Sequence, residues 1–240
     1  MKIGIITLSA SYNCGSMLQS YALKKILEKY GEVEIINFSS EASHQMYDIV
    51  PKTLRGKIHA VVARRRLLCE LKKESRAYQN FQREELGISG KEFFLTNLSE
   101  IATRYDVIVA GSDQVWNVRM GDFDEAFFCG WTDRKKVAYA PSLGGHDIRE
   151  SKLADEFIEF VKKFDYLSVR EEKGKKYIEE ISGKTVPVVL DPTILYGEEK
   201  WRELIGSPKV KGEYIFFYSW AYCYEELRNI VRERSKESGM

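Results

Sequence analysis

Apolar residues along this chain follow two patterns, which are short continuous runs and longer stretches with a spacing of three or four. The continuous runs, of about four to eight residues, are typical of strands buried in a parallel sheet. The wider spacing is typical of helices that bury one face. The continuous runs predict six strands in the first part of the chain, at residues 3–10, 33–38, 105–110, 136–140, 165–170 and 186–190.

Stretches with helical spacing separate these runs. One helix begins near Gly15 and Ser16 and ends near Gly31, and a long, highly charged helical segment with at least one break covers residues 53–86. Two further helices are predicted over residues 151–163 and 171–181. Because strands and helices alternate, we predict an α/β fold with a Rossmann-like, doubly wound parallel sheet.

The alternation changes after residue 190. Proline and glycine residues between 191 and 212 interrupt a short helix around Trp201, a pattern typical of a linker. Residues 213–220 are again apolar, and a helical pattern follows over 224–236. We therefore predict a Rossmann-like domain over residues 1–190, an interdomain linker over 191–212, and the first strand-helix unit of a truncated second domain over 213–240.

Composition limits the classes of partner. The 240 residues are 44% hydrophobic, enough for a substantial core, and 37 basic residues against 36 acidic ones give a net charge of +1. No global field therefore favours nucleic acid. Residues 52–76 are locally basic, and a solvated helix face is the simpler explanation. Peripheral contact with anionic lipid headgroups or with a lipid-diphosphate-linked acceptor is the alternative for this segment.

The cysteines, the histidines and the lengths of the apolar runs lead to three expectations, on disulfides, metal binding and membrane insertion. The four cysteines lack CxxC spacing, which favours reduced thiols, and the three histidines lack ligand spacing, so no metal site is predicted. The first apolar run is too short for a signal peptide and is better explained as a strand. No run approaches the roughly 20 residues that span a bilayer. We expect a cytoplasmic protein, with the inner membrane surface as a further place of action.

The most informative segment is the end of the run over residues 105–110. It leads directly into Gly111, Ser112, Asp113 and Gln114, followed by Asn117. In open α/β sheets ligands bind beyond the carboxyl ends of the strands, so these polar side chains are candidate substrate-binding residues. Asp113 is either a general base or sugar-binding carboxylate, or the cap of a turn. The neighbouring tryptophan at position 116 either stacks on a sugar ring or packs in the core.

The loop after the first strand lacks the GxGxxG fingerprint, which argues against a nicotinamide enzyme. Asn13, Gly15 and Ser16 instead lie at a predicted helix start, where backbone N–H groups favour an anion or a sugar hydroxyl. The alternative is that Asn13 or Ser16 only caps the helix.

Two further strand ends contribute candidates. Ser142 and His146 follow the run over 136–140 in a glycine-containing loop. The alternative for His146 is a surface histidine without a catalytic role, which is the more common case. Arg170 lies at the end of the next run, where a guanidinium can bind phosphate or carboxylate, and the alternative is an ion pair with a neighbouring glutamate. Asp191 faces the cleft or initiates the interdomain turn, and we favour the turn.

Four segments together resemble the polysaccharide pyruvyl transferase family: Tyr12–Leu23, Gly111–Asn117, Ser168–Glu171 and Asp191–Thr193. The resemblance implies the amino-terminal half of a glycosyltransferase-B-like architecture, in which two Rossmann-like domains face each other across a cleft. It also implies transfer of a pyruvyl group from phosphoenolpyruvate, the donor substrate, onto two sugar hydroxyls. The product would be a ketal on an exopolysaccharide or cell-wall glycan, and no cofactor is expected.

The resemblance also assigns roles to residues. It gives Arg170 to the donor anion and Asp113 to the acceptor hydroxyls as the two catalytic candidates, and it places Asn13, Gly15 and Ser16 on the cleft wall. The family's second domain supplies a histidine and further basic residues that lie beyond this chain, so we expect these 240 residues to be inactive alone.

Two other functions stay open at this point. One is a nucleotide-sugar glycosyltransferase of the same architecture, and the other is a non-catalytic glycan-binding relic. We further expect self-association through the apolar residues 215–217, which makes a homo-oligomer the expected state.

Overall fold

A five-stranded, all-parallel sheet organises the first part of the chain. The computed structural model describes residues 1–9, 12–47, 72–207, 210–219 and 224–239. The strands lie in the order β2-β1-β3-β4-β5. They are β1 (Lys2–Ile6), β2 (Glu32–Ile35), β3 (Val107–Ala110), β4 (Lys135–Ala138) and β5 (Tyr166–Leu167). The predicted α/β fold with a Rossmann-like parallel sheet is confirmed at this level.

Helices connect the strands and continue after the last one. They are α1 (Cys14–Leu27), α2 (Glu41–Tyr47), α3 (described over residues 72–81), α4 (Ala154–Lys162), α5 (Glu172–Ser182), α6 (Pro192–Tyr196), α7 (Glu198–Leu204) and α8 (Glu225–Ser238). A π-helical turn, Gln82–Leu86, follows α3, and the 3-10 segment Leu95–Arg104 precedes β3. Helix α1 begins at Cys14 because Asn13 caps it, which agrees with the predicted start near Gly15.

The predicted strand over residues 186–190 is reduced to a single bridge. Val188 pairs in parallel with Val169, and the Val189 N–H donates to the Val169 carbonyl at 2.9 Å. Pro187 has no N–H to donate, and β5 itself is only two residues long, so the ladder does not extend. The named sheet therefore has five strands and not the six that the sequence predicts.

The predicted strand over residues 213–220 is also absent within its described part, residues 213–219. A strand is stabilised by hydrogen bonds to a neighbouring strand, and in the described part of the chain none pairs with this segment. Its apolar side chains are exposed, most of all Phe216 at 79%. The predicted helix that follows is present as α8.

The chain forms two compact units, Met1–Glu198 and Glu199–Met240. The predicted linker over residues 191–212 thus contains α6, which packs against α1 inside the first unit. The ring of Tyr196 on α6 meets the ring of Tyr21 edge-on at 5.8 Å. Helix α6 is not predicted from the sequence because proline interrupts most helices, whereas it is favoured in the first turn, where Pro192 lies. The predicted domain division itself remains a prediction.

Aromatic side chains fill the core on one side of the sheet. Trp116 is fully buried, stacks on Phe128 at 5.4 Å, and meets Phe164 edge-on at 5.6 Å. Its indole N–H donates to the Phe127 carbonyl at 3.2 Å, which satisfies the one polar group of the ring. The core interpretation of Trp116 is therefore correct, and the sugar-stacking alternative is wrong.

Several predicted features lie wholly or partly outside the described residues. The basic segment 52–76 is described only from residue 72 onward, and Cys69 and Cys223 are not described. The two cysteines that are described, Cys14 and Cys129, form no disulfide, and Cys14 is exposed whereas Cys129 is buried. None of the described helices combines the length and the apolar character that crossing a bilayer requires.

Candidate functional site

Candidate side chains meet where the strand order of the sheet reverses. The chain runs from β1 outward to β2 and then returns to place β3 on the other side of β1. Such a switch point opens a crevice at the carboxyl ends of the two strands. A cavity of about 220 Å³ lies there. It is lined by Asn13, Gly15, Ser16, Gln19, Asp113, Arg170, Asp191 and Thr193.

The start of α1 forms one wall of the cavity. Asn13 Oδ1 accepts hydrogen bonds from the N–H groups of Gly15 at 2.8 Å and Ser16 at 3.3 Å. Asn13 therefore caps the helix, as one interpretation of the sequence predicts, and it also lines the cavity, while substrate binding by Asn13 stays a prediction. Because the cap already satisfies two N–H groups of the first turn, this helix start offers less to an anion than an uncapped one.

Asp113 forms the opposite wall at the end of β3. Its backbone is in the left-handed region with φ +79°, which aspartate tolerates better than most residues. Its Oδ1 accepts from the Gln114 N–H at 2.8 Å, and its carbonyl accepts from the Ser142 N–H at 2.7 Å. Its Oδ2 accepts from the Ser16 hydroxyl at 2.6 Å. The carboxylate is thus held from the backbone and faces α1.

Arg170 enters the cavity from the segment after β5. Its Nη1 donates to Asp191 Oδ2 at 2.7 Å, and its Nε donates to Glu171 Oε1 at 3.1 Å. Burial alone would lower the pKa of Arg170, but the two carboxylates outweigh it and raise that pKa. The guanidinium therefore stays charged. The ion pair that the sequence analysis gave as the alternative is present, with Asp191 as an additional partner.

Asp191 both faces the cavity and caps α6. Its Oδ1 accepts from the Thr193 N–H at 2.9 Å and from the Thr193 hydroxyl at 2.6 Å. The fully buried Ser112 donates from Oγ to Asp191 Oδ2 at 3.1 Å or to the Ala140 carbonyl at 3.2 Å. Burial alone would raise the pKa of Asp191, but the Thr193 and Arg170 hydrogen bonds lower it below its usual value. Asp191 is therefore a carboxylate at neutral pH.

The structure brings five of the ten predicted site residues to the cavity and places Ser112 behind it. The four others do not line it: Gln114, Asn117, Ser142 and His146. The Gln114 side-chain oxygen accepts from Asn117 Nδ2 at 2.8 Å, and this pair packs under the loop that follows β4. The Ser142 hydroxyl accepts from the Gly144 N–H at 3.1 Å. Substrate binding by these residues stays a prediction.

His146 lies on the half-exposed surface of the same loop. Its Nδ1 is 3.6 Å from a carboxylate oxygen of Glu150, which also receives a hydrogen bond from Arg119 at 2.6 Å. The imidazole thus belongs to a surface cluster of charged groups.

Sequence reasoning missed Gln19 and Thr193 and favoured only a turn role for Asp191. Gln19 follows Ser16 by three residues on α1, and residues so spaced share a face of a helix. That spacing is the signal that could have found Gln19. For Asp191 the sequence motif indicated a turn. Only the fold shows that its carboxylate also accepts a hydrogen bond from Arg170, which lies 21 positions earlier in the chain.

The charges of the cavity favour a ligand that donates hydrogen bonds. Its wall carries the carboxylates of Asp113 and Asp191 and the guanidinium of Arg170, two of whose nitrogens are already bound to carboxylates. The two carboxylates outnumber the one guanidinium, and each carboxylate oxygen keeps lone-pair capacity for a further donor. Such a wall can hold hydroxyl groups, and a carboxylate in it can take a proton from one of them. Within the described residues no cluster of three His, Cys, Asp or Glu side chains could hold a metal ion.

Comparison with known proteins gives one match. The family model described as "Polysaccharide pyruvyl transferase" matches residues 13–234, a range that includes every residue lining the cavity. No curated protein and no solved structure matches the chain with significant similarity.

Proposed function

The chain belongs to the polysaccharide pyruvyl transferase family, and on that premise we propose that it transfers a pyruvyl group from phosphoenolpyruvate to a glycan as a ketal. The acceptor is a pair of hydroxyls on one sugar of a cell-wall glycan or exopolysaccharide, free or linked to a lipid carrier. The observation that carries this proposal is the acceptor-rich cavity at the switch point of the sheet.

The proposed reaction needs three kinds of group. The C3 methylene of phosphoenolpyruvate gains a proton, which makes C2 electrophilic. One sugar oxygen bonds to C2 and loses its proton, and a second does the same while the bond from C2 to the phosphate oxygen breaks. One hydroxyl proton balances the new methyl group, and the other leaves with inorganic phosphate. The enzyme therefore needs a base for the hydroxyls, an acid for carbon, and cations for the donor.

Asp113 fits the task of the base. Its carboxylate lies on the cavity wall and is oriented by the Gln114 N–H and the Ser16 hydroxyl. A sugar hydroxyl in the cavity can replace or join the Ser16 hydroxyl on Oδ2 and pass its proton to the carboxylate as the bond to C2 forms. The Ser16 contact at 2.6 Å marks the position that such a hydroxyl would take.

Arg170 fits the task of holding the donor anion. It is a charged guanidinium on the cavity wall, and in the described part of the chain its Nη2 makes no hydrogen bond. The Asp191 carboxylate fixes the guanidinium plane from one side and leaves this edge for the phosphate or carboxylate of phosphoenolpyruvate.

The direct test is to incubate the protein, alone and together with a second Rossmann-like domain of the family, with phosphoenolpyruvate and candidate glycans, since the 240 residues are expected to be inactive alone. Ketal formation is followed by the new methyl signal in the proton NMR spectrum and by the release of one phosphate per ketal. Phosphate release without a ketal, or a ketal without phosphate release, would contradict the proposed stoichiometry.

A parallel thermal-shift series distinguishes the other two functions of this architecture. Stabilisation by nucleotide sugars and not by phosphoenolpyruvate would point to glycosyl transfer. Sugar binding that survives Arg170→Ala, with no response to phosphoenolpyruvate, would point to a glycan-binding protein without activity.

A further inference from the structure

Gln19 presents a buried hydrogen-bond acceptor at the candidate site that has no partner among the described residues. The residue lines the cavity, and only 3% of it is exposed. Among the described residues, its Oε1 is one of two buried side-chain atoms that have no hydrogen-bond partner. Buried polar atoms are nearly always paired, so an unpaired one on a cavity wall calls for an explanation.

The orientation of the Gln19 amide follows from its neighbours. Nε2 carries two hydrogens and has three oxygens within hydrogen-bond distance, which are Thr7 Oγ1 at 2.9 Å, the Ser16 carbonyl at 3.0 Å and Ser20 Oγ at 2.9 Å. Both hydroxyls have already given their hydrogens to carbonyls, since Thr7 donates to Ser112 at 3.0 Å and Ser20 donates to Ser16 at 2.8 Å.

A flipped amide would place Oε1 against the Ser16 carbonyl, which has no hydrogen, and it could bond to Thr7 and Ser20 only if both hydroxyls gave up the carbonyls that they now reach. The orientation with the nitrogen toward this network therefore keeps the most hydrogen bonds, and it leaves Oε1 as the atom without a partner in the described part of the chain. The network holds the amide rigidly, because it ties α1 to the ends of β1 and β3.

A donor from a ligand would complete this arrangement. Asp113, Asp191 and Asn13 surround the same cavity with further acceptor oxygens. A phosphate or carboxylate would bring its negative charge close to the carboxylates of Asp113 and Asp191, which is unfavourable. A neutral ligand rich in hydroxyl groups brings donors for all of them.

We infer that Gln19 is an acceptor-binding residue that selects a neutral sugar hydroxyl through Oε1. This inference rests on the proposed function for the identity of the acceptor, but sugar binding can be measured without any transfer. It places the sugar at this wall and leaves the donor anion to the Arg170 side of the cavity.

The test uses the whole protein and a panel of neutral monosaccharides: glucose, galactose, mannose, N-acetylglucosamine and N-acetylmannosamine. Binding is measured by saturation-transfer NMR and by calorimetry, with inorganic phosphate as the anionic probe. We expect a sugar to bind, and Gln19→Met to weaken its binding about tenfold or more, as loss of one buried hydrogen bond requires. Phosphate should not displace the sugar.

The matched control is Ser20→Ala, which removes one partner of Nε2 and leaves Oε1 in place. Ser20 does not line the cavity, so this variant should lose stability comparably and keep sugar affinity within about twofold. If Ser20→Ala weakens sugar binding as much as Gln19→Met does, the effect comes from the network and the inference is overturned.

Deoxy sugars identify the hydroxyl itself. One monodeoxy analogue should bind the wild type about tenfold more weakly than the parent sugar, yet bind Gln19→Met as well as the parent does. An equal loss of affinity in both proteins for every analogue, or no binding by any sugar of the panel, would overturn the inference.

Ketal formation separates this inference from the proposed function. Ketal formation by Gln19→Met with an unchanged KM for the glycan would overturn the inference while the proposed function stands. Sugar binding that depends on Gln19, without ketal formation, would support the inference and contradict the proposed function.

Discussion

The Ser16 hydroxyl donates a 2.6 Å hydrogen bond to Asp113 Oδ2 and so joins the start of α1 to the end of β3. The two residues are 97 positions apart in the chain. Strands β1 and β3 are neighbours in the sheet, so the segments that follow them emerge side by side. The contact between Ser16 and Asp113 therefore follows from the strand order of the sheet, and it lies at the candidate site.

Replacing Asp113 with asparagine should abolish most of the proposed activity and leave the fold intact. Asparagine keeps an acceptor oxygen for Ser16 and tolerates the left-handed backbone at φ +79°, but it cannot take a proton. We expect kcat for ketal formation to fall by roughly 10²–10⁴-fold, the usual contribution of general base catalysis. Rates are measured by phosphate release at saturating glycan, and folding by circular dichroism.

Asp113→Ala serves as the structural control for this variant. Alanine in the left-handed backbone conformation should lower the free energy of unfolding by about 1–2 kcal/mol, a loss that asparagine avoids. Wild-type kcat in Asp113→Asn would contradict the role of base.

A second prediction compares two adjacent glycines in the loop after β4. Both have positive φ, +61° at Gly144 and +81° at Gly145. A Cβ at Gly144 would come within 2.3 Å of Asn117 Nδ2, whereas a Cβ at Gly145 would meet nothing within 4 Å. Gly145→Ala should therefore cost only about 1–2 kcal/mol for the backbone, and Gly144→Ala should cost about 1–3 kcal/mol more for the clash.

Urea unfolding of the two variants measures this difference. Adding Asn117→Ala to Gly144→Ala removes the atom that clashes, so the double variant should regain part of the lost stability. Equal destabilisation at the two positions would show that Asn117 does not support the loop in this way.

The spacing of apolar residues along the chain was sufficient to predict individual strands and helices near the site. The continuous apolar run before Gly111 predicted β3, and the spacing after Ser16 predicted α1. The family resemblance, and not the local pattern, implied that Ser16 and Asp113 lie at one cleft, and the structure brings them into contact. Family resemblance added the role of the site, and the family match supports it at the level of membership.

The remaining features depend on contacts that no local pattern encodes. The run over 186–190 looks like a strand, but Pro187 and the short β5 limit it to one bridge. Asp191 carries a turn motif, and its pairing with Arg170 appears only once β5 and α6 are placed. Gln19 lies within a helix that the sequence did predict, but that its Oε1 is buried without a partner among the described residues appears only in the structure.

A third prediction concerns the buried Trp116. Trp116→Phe keeps an aromatic ring against Phe128 but loses the indole bond to the Phe127 carbonyl and some volume. We expect a loss of about 1–3 kcal/mol in the free energy of unfolding and sugar affinity equal to that of the wild type. Urea unfolding and saturation-transfer NMR measure the two quantities. A selective loss of sugar binding without loss of stability would restore the stacking role that burial excludes.

A fourth prediction concerns the exposed apolar segment 214–218. Its side chains include Phe216, 79% exposed, and Tyr218, 65% exposed. Exposed apolar clusters of this kind favour association, so we expect the 240-residue chain to self-associate at micromolar concentration in light scattering. Phe216→Ser should shift the distribution toward monomer, and Tyr30→Ser, at a residue 58% exposed elsewhere on the surface, should not. A strictly monomeric wild type would contradict this prediction.

The last prediction follows from the lowered pKa of Asp191. A carboxylate whose pKa is lower in the folded than in the unfolded state stabilises the fold above the unfolded pKa, and this stabilisation is lost as pH falls through the folded pKa. Asp191→Asn should therefore cost roughly 2 kcal/mol near pH 7, since it leaves Arg170 with a weaker partner. The difference from wild type should shrink as pH falls below about 4. Urea unfolding from about pH 7 to about pH 3 measures it, with Asp133→Asn, at an exposed residue, as the control. A gap that stays constant across this range would mean that the Asp191 charge does not stabilise the site.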